Sequence, residues 1–278
     1  MVAATKISAV SAKLAAVFER AKREQRIAFI PYVMAGDPDL ATTEAILRAL
    51  SAAGADIIEL GIPYSDPLAD GPTIASAGAR ALANGTRLVD VLELAQRCKQ
   101  ETPLLLFTYF NPVYQFGVER FARDAAHAGA AGAIVPDCAL EESATVRDAI
   151  RAHGLEMPLL VAPSTTRERA AEIAQAATGF VYVVSRLGVT GAGTMPDIRP
   201  LSTQLSMLRE LSDKPLAVGF GLSRPEAIAE IAPRADGVVV GSALIDAYAG
   251  TRGNEAARRV TEFVTPLVAA AHRAKDAP

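Results

Sequence analysis

Glu59, Asp66 and Asp70 place three carboxylates within one Pro- and Gly-rich stretch, Glu59-Leu-Gly-Ile-Pro-Tyr-Ser-Asp66-Pro-Leu-Ala-Asp70-Gly-Pro72. Two carboxylates that converge on one pocket can divide acid and base roles between them. Glu59 stands near the end of a short apolar run, Ile57–Leu60. Strand alternation turns Ile58 and Leu60 one way and Glu59 the other, so Glu59 points inward if its neighbours face outward. A carboxyl held there loses water and its pKa rises, which suits proton transfer near neutral pH. The competing reading pairs it with a base, and Arg186 is the only basic residue at another strand end. Asp66 and Asp70 each adjoin Pro or Gly, the usual setting of an Asx turn. Their spacing leaves open which of them converges with Glu59.

Three glycine-rich segments could cradle a phosphate: Ser185-Arg-Leu-Gly188-Val-Thr-Gly191-Ala-Gly193, Gly219-Phe-Gly221-Leu-Ser223, and Gly241-Ser242 opening a short helix. Glycine lets a ligand approach the backbone, and a helix N-terminus offers free N–H groups. Arg186 reads equally as a phosphate partner and as a solvated loop charge. Other chemistries find no residues. His127, His153 and His272 fall in helical patterns and read as surface residues. No His, Cys or Asp cluster has metal-ligand spacing, and no lysine falls in a strand to form a Schiff base. Carboxylate acid–base work on a phosphorylated substrate remains. Tyr32, Phe107, Ile134 and Tyr182 sit at strand positions that could line its pocket or simply fill the core.

Eight apolar runs must position these groups: Ala28–Met34, Ile57–Leu60, Leu104–Thr108, Ala133–Val135, Leu159–Ala162, Val181–Ser185, Leu216–Val218 and Gly237–Val240. Runs apolar on both faces and bounded by Gly, Pro or Asp read as buried strands. Helical patterns lie between them; Ile46, Leu47, Leu50 and Ala53 share one face, as do Leu88, Val91, Leu92, Ala95 and Cys98. Ser223-Arg-Pro-Glu226 reads as a capping box. Strands alternating with helices pair in parallel, and the length of 278 residues favours an α/β fold with a single closed (β/α)₈ barrel. A doubly wound sheet is the alternative, but no Gly-rich dinucleotide turn follows the first run. One domain, 1–278, is expected. Residues 1–26 hold a helix capping the barrel bottom, with Val10, Leu14, Val17 and Phe18 on its face, and 252–278 hold a C-terminal helix and tail. The gap between the second and third runs is about twice that of an ordinary βα unit, and reads as an extended loop at the catalytic end.

Composition narrows the function class. Net charge is −3, so there is no basic excess for nucleic acid. The hydrophobic fraction of 50% supports a large core rather than disorder. Two cysteines, Cys98 and Cys138, make no disulfide framework, and a reduced cytoplasmic setting is expected. No apolar run is long enough to span a membrane, and the N-terminal stretch, with Lys6 and Lys13, lacks a signal peptide's continuous apolar core.

The stretch from Glu59 to Pro72 resembles the signature of the tryptophan synthase alpha subunit family. Phe29-Ile-Pro-Tyr with Gly36-Asp-Pro, Tyr109-Phe-Asn-Pro112, Val135-Pro-Asp137, Ser185 to Gly191, and Gly219-Phe-Gly221 extend the likeness over about Ile27 to Ala247. The resemblance implies a lyase that cleaves indole-3-glycerol phosphate to indole and glyceraldehyde 3-phosphate. Glu59 matches the proton-transfer carboxylate and Asp70 the one that holds the indole N–H, which chooses between Asp66 and Asp70. Tyr182 matches a tyrosine near Glu59, and Tyr32, Phe107 and Ile134 match walls around the indole. Gly191, Phe220, Gly221, Gly241 and Ser242 match phosphate-binding positions, and Thr190 a mobile-loop residue that meets the Asp70 region.

The same resemblance implies a pyridoxal-phosphate beta subunit that receives indole in an alpha-beta-beta-alpha heterotetramer. Asp66, Pro67, Asn111 and Asp137 match the contact with it. The cofactor belongs to that partner, and this chain is expected to bind none. Met34 stands where the family often has Thr, which removes a hydroxyl and is expected to fill space beside Asp70. Ala139 stands where the family often has Pro, which is expected to loosen a partner-facing loop. These departures motivate two alternatives: a free-standing lyase that releases indole, and a weakly active regulatory subunit of the beta chain.

Overall fold

The computed structural model describes residues 13–98, 102–184, 199–219, 221 and 223–273. Its eight strands are β1 (Ala28–Met34), β2 (Ile58–Gly61), β3 (Leu104–Phe107), β4 (Gly132–Ile134), β5 (Leu159–Val161), β6 (Val181–Val184), β7 (Leu216–Gly219) and β8 (Gly237–Val240). All of the ladders between them are parallel, in the order β4-β3-β2-β1-β8-β7-β6-β5. The two ends meet. Gly132 of β4 bridges Glu156, just before β5, with Ala133 N–H donating to Glu156 O at 2.9 Å and Glu156 N–H to Ala131 O at 3.0 Å. The closure requires glycine, since a Cβ at 132 would stand 2.0 Å from the Glu156 carbonyl oxygen. The sheet is therefore a (β/α)₈ barrel, and each expected strand is present to within a residue or two.

Helices cover the barrel: α1 (Lys13–Arg23), α2 (Leu40–Ala52), α3 (Pro72–Ala83), α4 (Leu88–Arg97), α5 (Phe110–Phe116), α6 (Val118–His127), α7 (Ala144–Ala152), α8 (Arg167–Ala176), α9 (Arg199–Leu211), α10 (Pro225–Ile231), α11 (Ser242–Tyr248) and α12 (Gly253–His272). Every residue of β1, β2, β3, β7 and β8 is buried, because helices take one face of each strand and the barrel interior the other. The long gap after β2 is only in part a loop. Residues 62–71 are irregular, and then α3, which the sequence reading did not separate, precedes α4. The capping box fails as read: Arg224, not Ser223, is the N-cap of α10 and makes no side-chain cap bond, although Pro225 does occupy its first turn.

Helix α1 closes the bottom, the end from which the strands start. Leu14 and Phe18 are buried, and the Phe18 ring lies 5.3 Å from that of Phe180, just before β6. Leu14 N–H donates to Glu156 Oε2 at 2.9 Å, and burial pushes the Glu156 carboxyl up to about 7. Val10 lies outside the described residues. A second tie gathers around Asp56, at the entrance to β2. It accepts from Arg26 at 2.9 Å through both oxygens, from Arg20 at 3.1 Å and from Phe29 N–H at 3.0 Å. His272 Nε2, at the end of α12, lies 3.0 Å from the same carboxylate. Of the three histidines read as surface residues, His127 is exposed, His153 is half-buried beside Glu119, and His272 is half-buried with a structural partner.

Candidate active site

At the C-terminal ends of the strands the barrel opens into a cavity with about 460 Å³ of empty space, its solvent-open mouth included. Strands supply its floor and walls: Tyr32 from β1, Glu59 from β2, Phe107 from β3, Tyr182 from β6 and Val239 from β8. Loops and helix starts supply the rim: Asp70, Ile74, Gly221, Gly241 and Ser242, with Ile74 Cδ1 3.7 Å from where a Cβ on Gly241 would stand. Residues distant in the chain meet here because parallel strands all end on the same face of the barrel.

Two glycines let the tyrosines lie across the floor. A Cβ on Gly61 of β2 would stand 2.2 Å from the Tyr32 hydroxyl oxygen, and one on Gly219 of β7 would stand 2.3 Å from that of Tyr182. The Tyr32 ring also meets Phe107 edge-on, with centroids 5.7 Å apart. The floor is aromatic and apolar, and Glu59 is the carboxylate set into it.

Glu59 is 1% exposed, and its Oε1 has no hydrogen-bond partner among the described residues. Burial alone pushes its carboxyl up to about 8. At neutral pH the group holds its proton, and Oε1 meets no hydrogen-bond partner among the described residues. Asp70 is less buried and accepts a hydrogen bond from the Tyr109 hydroxyl, so its carboxyl rises only to about 6. The two carboxyls therefore differ in charge at pH 7: one acid and one carboxylate facing a single cavity. Asp66 is exposed on the outside of the same loop. The choice that spacing left open is decided by burial.

Tyr109 escaped the sequence reading as a site residue. It is buried at the N-cap of α5, where extended backbone (φ −98°, ψ 162°) starts the helix. Its hydroxyl accepts from Ala69 N–H at 3.1 Å while donating to the Asp70 carboxylate, so one phenol holds the loop backbone and the functional group together. Its ring packs 5.4 Å from that of Tyr64. The Tyr109-Phe-Asn-Pro motif was visible in the sequence, but no local signal directs its hydroxyl at a loop forty residues away. Ile74 and Val239 were missed as well, being ordinary apolar residues until the fold places them.

Ile134 is buried in β4 in register with Phe107 and is not among the residues that line this cavity. Met34 is also buried without lining the cavity. Its methyl lies against α3, 3.5 Å from where a Cβ on Gly78 would stand. Thr190, Gly191 and Phe220, with Arg186, lie outside the described residues.

The sequence matches the family model of the tryptophan synthase alpha chain over residues 18–272. The chain belongs to this family. A tryptophan synthase alpha chain of Picosynechococcus is 47% identical over 253 residues, 90% of this chain and 96% of that one. One from Arabidopsis thaliana is 42% identical over 255 residues, covering 91% and 92%. Among solved structures, a Mycobacterium tuberculosis tryptophan synthase chain superposes with a TM-score of 0.86 at 39% identity, covering 94% of this chain and 98% of that chain. The sequence reading set Asp66, Pro67, Asn111 and Asp137 at a partner contact. Here all four lie in the loops and helix starts after β2, β3 and β4. Asp66, Asn111 and Asp137 are exposed; Asn111 Nδ2 donates to the Tyr64 hydroxyl at 3.3 Å, and Asp137 Oδ1 accepts from Phe110 N–H at 2.8 Å. Leu68, 78% exposed, and Tyr114, 63% exposed, stand among them. The Ala139 segment is held by turns, its carbonyl accepting from Glu142 N–H at 3.0 Å and Ser143 N–H at 2.9 Å.

Proposed function

We propose that this chain works as the lyase subunit of a tryptophan synthase, with Glu59 as the proton donor and Asp70 as the anionic anchor. Family membership assigns the reaction, the cleavage of indole-3-glycerol phosphate to indole and glyceraldehyde 3-phosphate in tryptophan biosynthesis. The two alternative readings, a free-standing lyase and a mainly regulatory subunit, are not favoured, because relatives with the synthase name cover nearly the whole chain.

The observation that carries the residue roles is the inequality of the two carboxyls. Glu59, protonated at pH 7, gives its proton to indole C3. The indolenine cation so formed has its N–H beside the Asp70 carboxylate, which is already ionised and held by Tyr109. Glu59, now a carboxylate in an apolar floor, takes the proton from the hydroxyl on the carbon attached to the ring. The bond between that carbon and C3 breaks, its electron pair returns to the indole, and the aldehyde is released. Glu59 ends protonated, as it began. The apolar lining from Tyr32, Phe107 and Tyr182 suits the indole, and the backbone at Gly221 and Gly241-Ser242 suits the phosphate.

The exposed Leu68 and Tyr114, ringed by Asp66, Asn111 and Asp137, support docking of a beta subunit on the face above β2–β4. The heterotetramer, the passage of indole to that partner and a cytoplasmic setting extend the same reading. Among the described residues no helix is long and apolar enough to cross a membrane. The test is cleavage of indole-3-glycerol phosphate by the purified chain, with and without a beta subunit. Slow cleavage alone, raised by the partner, is expected. No cleavage in either condition rejects the function, and full activity alone rejects the partner's role.

A further inference from the structure

Tyr32 carries a hydroxyl that the roles above leave unused. The side chain is 4% exposed, lines the cavity and lies in strand register with Glu59. Its ring crosses the floor. The Cβ end lies near Gly241, 3.5 Å from where a Cβ there would stand, and the hydroxyl end rests over Gly61. Among the described residues its hydrogen-bond acceptor is the Met34 sulfur, 4.0 Å away. A thioether is a weak acceptor, and a buried phenol ordinarily finds a better one. Burial, and after it the charges of Asp70 and Glu59, oppose its ionisation, so the phenol keeps its proton and can only donate or accept a neutral hydrogen bond.

Its position selects the ligand atom. Gly241-Ser242 marks the phosphate end of the cavity and Asp70 the indole end, so the three-carbon glycerol chain lies between them, along the Tyr32 ring. Glu59 must reach the hydroxyl on the carbon attached to indole. The neighbouring carbon carries the other hydroxyl, and the register partner of Glu59 is Tyr32. We propose that Tyr32 is a polar substrate contact whose hydroxyl donates a hydrogen bond to the middle, non-reacting hydroxyl of the glycerol chain. This rests on the assignment of Glu59, Asp70 and the phosphate end given above. It changes Tyr32 from an apolar wall to a group that discriminates hydroxylated from deoxygenated substrates, since a site built to bond a hydroxyl penalises a ligand that lacks it.

The test is a two-by-two comparison of kcat/KM. Wild type and Tyr32→Phe are each assayed with indole-3-glycerol phosphate and with the analogue in which hydrogen replaces the middle hydroxyl. Tyr32→Phe keeps the ring over Gly61 and its edge contact with Phe107, and an unchanged urea midpoint checks that the fold is intact. Removing the hydroxyl from the protein, or from the substrate, is expected to lower kcat/KM roughly three- to ten-fold. Removing both costs no more than removing one. Met34→Leu, which deletes the sulfur and keeps the shape, is expected to match wild type with both substrates. The proposal fails if Tyr32→Phe is indistinguishable from wild type, if it loses the same factor with both substrates, or if Met34→Leu reproduces its loss. If wild type cleaves neither substrate, the assigned reaction is wrong, which is a separate outcome from a failure at Tyr32.

Discussion

Replacing Glu59 by Gln tests whether function at this site is bought with stability. In the unfolded chain the carboxyl ionises near its ordinary value of 4.5, whereas in the folded protein burial holds it to about 8. Between these values the folded state binds the extra proton, so stability falls as pH rises, by about 1.4 kcal/mol per pH unit, and levels off above the folded value. At pH 7 the penalty is roughly 3 kcal/mol, a large share of the 5–15 kcal/mol typical of a domain. Gln has nearly the same shape and no titration. Its buried amide costs a pH-independent 1–3 kcal/mol or so where hydrogen bonds are missing. The two proteins should therefore differ in slope. Urea midpoints at about pH 5.5, 6.5 and 7.5, converted with each protein's m value, should show Glu59→Gln gaining about 3 kcal/mol on wild type across the range. Asp70 and Glu156 titrate in both proteins and cancel in the comparison. Cleavage should fall by a factor of about a hundred or more, because the proton donor is gone. Parallel stability curves would refute the burial argument. Retention of more than about a tenth of the rate would refute the proton-transfer role.

The wild-type pH profile of kcat/KM should be bell-shaped, requiring Asp70 ionised above about 6 and Glu59 protonated below about 8; a flat profile from pH 5 to 9 contradicts that division of roles. Tyr109→Phe removes a hydrogen bond that favours the Asp70 carboxylate, so the acid limb should move to higher pH and kcat/KM at pH 7 should fall about ten-fold, with no such shift in an Asp70→Asn background. Gly221 has φ +85° and no described residue where a Cβ would project, so Gly221→Val should fold with backbone strain of about 1–3 kcal/mol and raise KM for the phosphorylated substrate; an unchanged KM rejects the phosphate end. Asp56 is held well below the usual carboxylate range by hydrogen bonds from His272, Arg26 and the Phe29 amide, which outweigh its burial. Its stabilisation is fully present above the unfolded value near 3.8 and is lost as pH falls below it. Asp56→Asn should cost about 3–5 kcal/mol at pH 7 in urea unfolding, and the difference from wild type should shrink below about pH 4.

The strands were legible because their signal is local. A run apolar on both faces, three to seven residues long and closed by Gly, Pro or Asp, has few places to lie except between helices and a barrel interior. β1 and β8 end where their patterns end, and alternation set Glu59 opposite Ile58 and Leu60, inward once those face the helices. Helix α3 was hidden because Pro72–Ala83 is mostly Ala, Gly, Ser and Thr, with a weak apolar stripe. Ser223 was misread as a cap because the motif's composition fits at 223, while the backbone turns one residue later at Arg224.

The amino-acid order by itself determined the barrel, the end of it that carries chemistry, and Glu59 as an inward carboxyl. The family resemblance had already chosen Asp70 over Asp66; tertiary structure alone decided that Asp70 is partly withdrawn from water while Asp66 stays exposed, and that Tyr109 holds Asp70. The physical reason is that periodicity depends on neighbours in the chain, whereas loss of water depends on atoms brought from everywhere in it. Asp66 and Asp70 have similar local sequence and opposite surroundings, and it is the surroundings that set a carboxyl's charge.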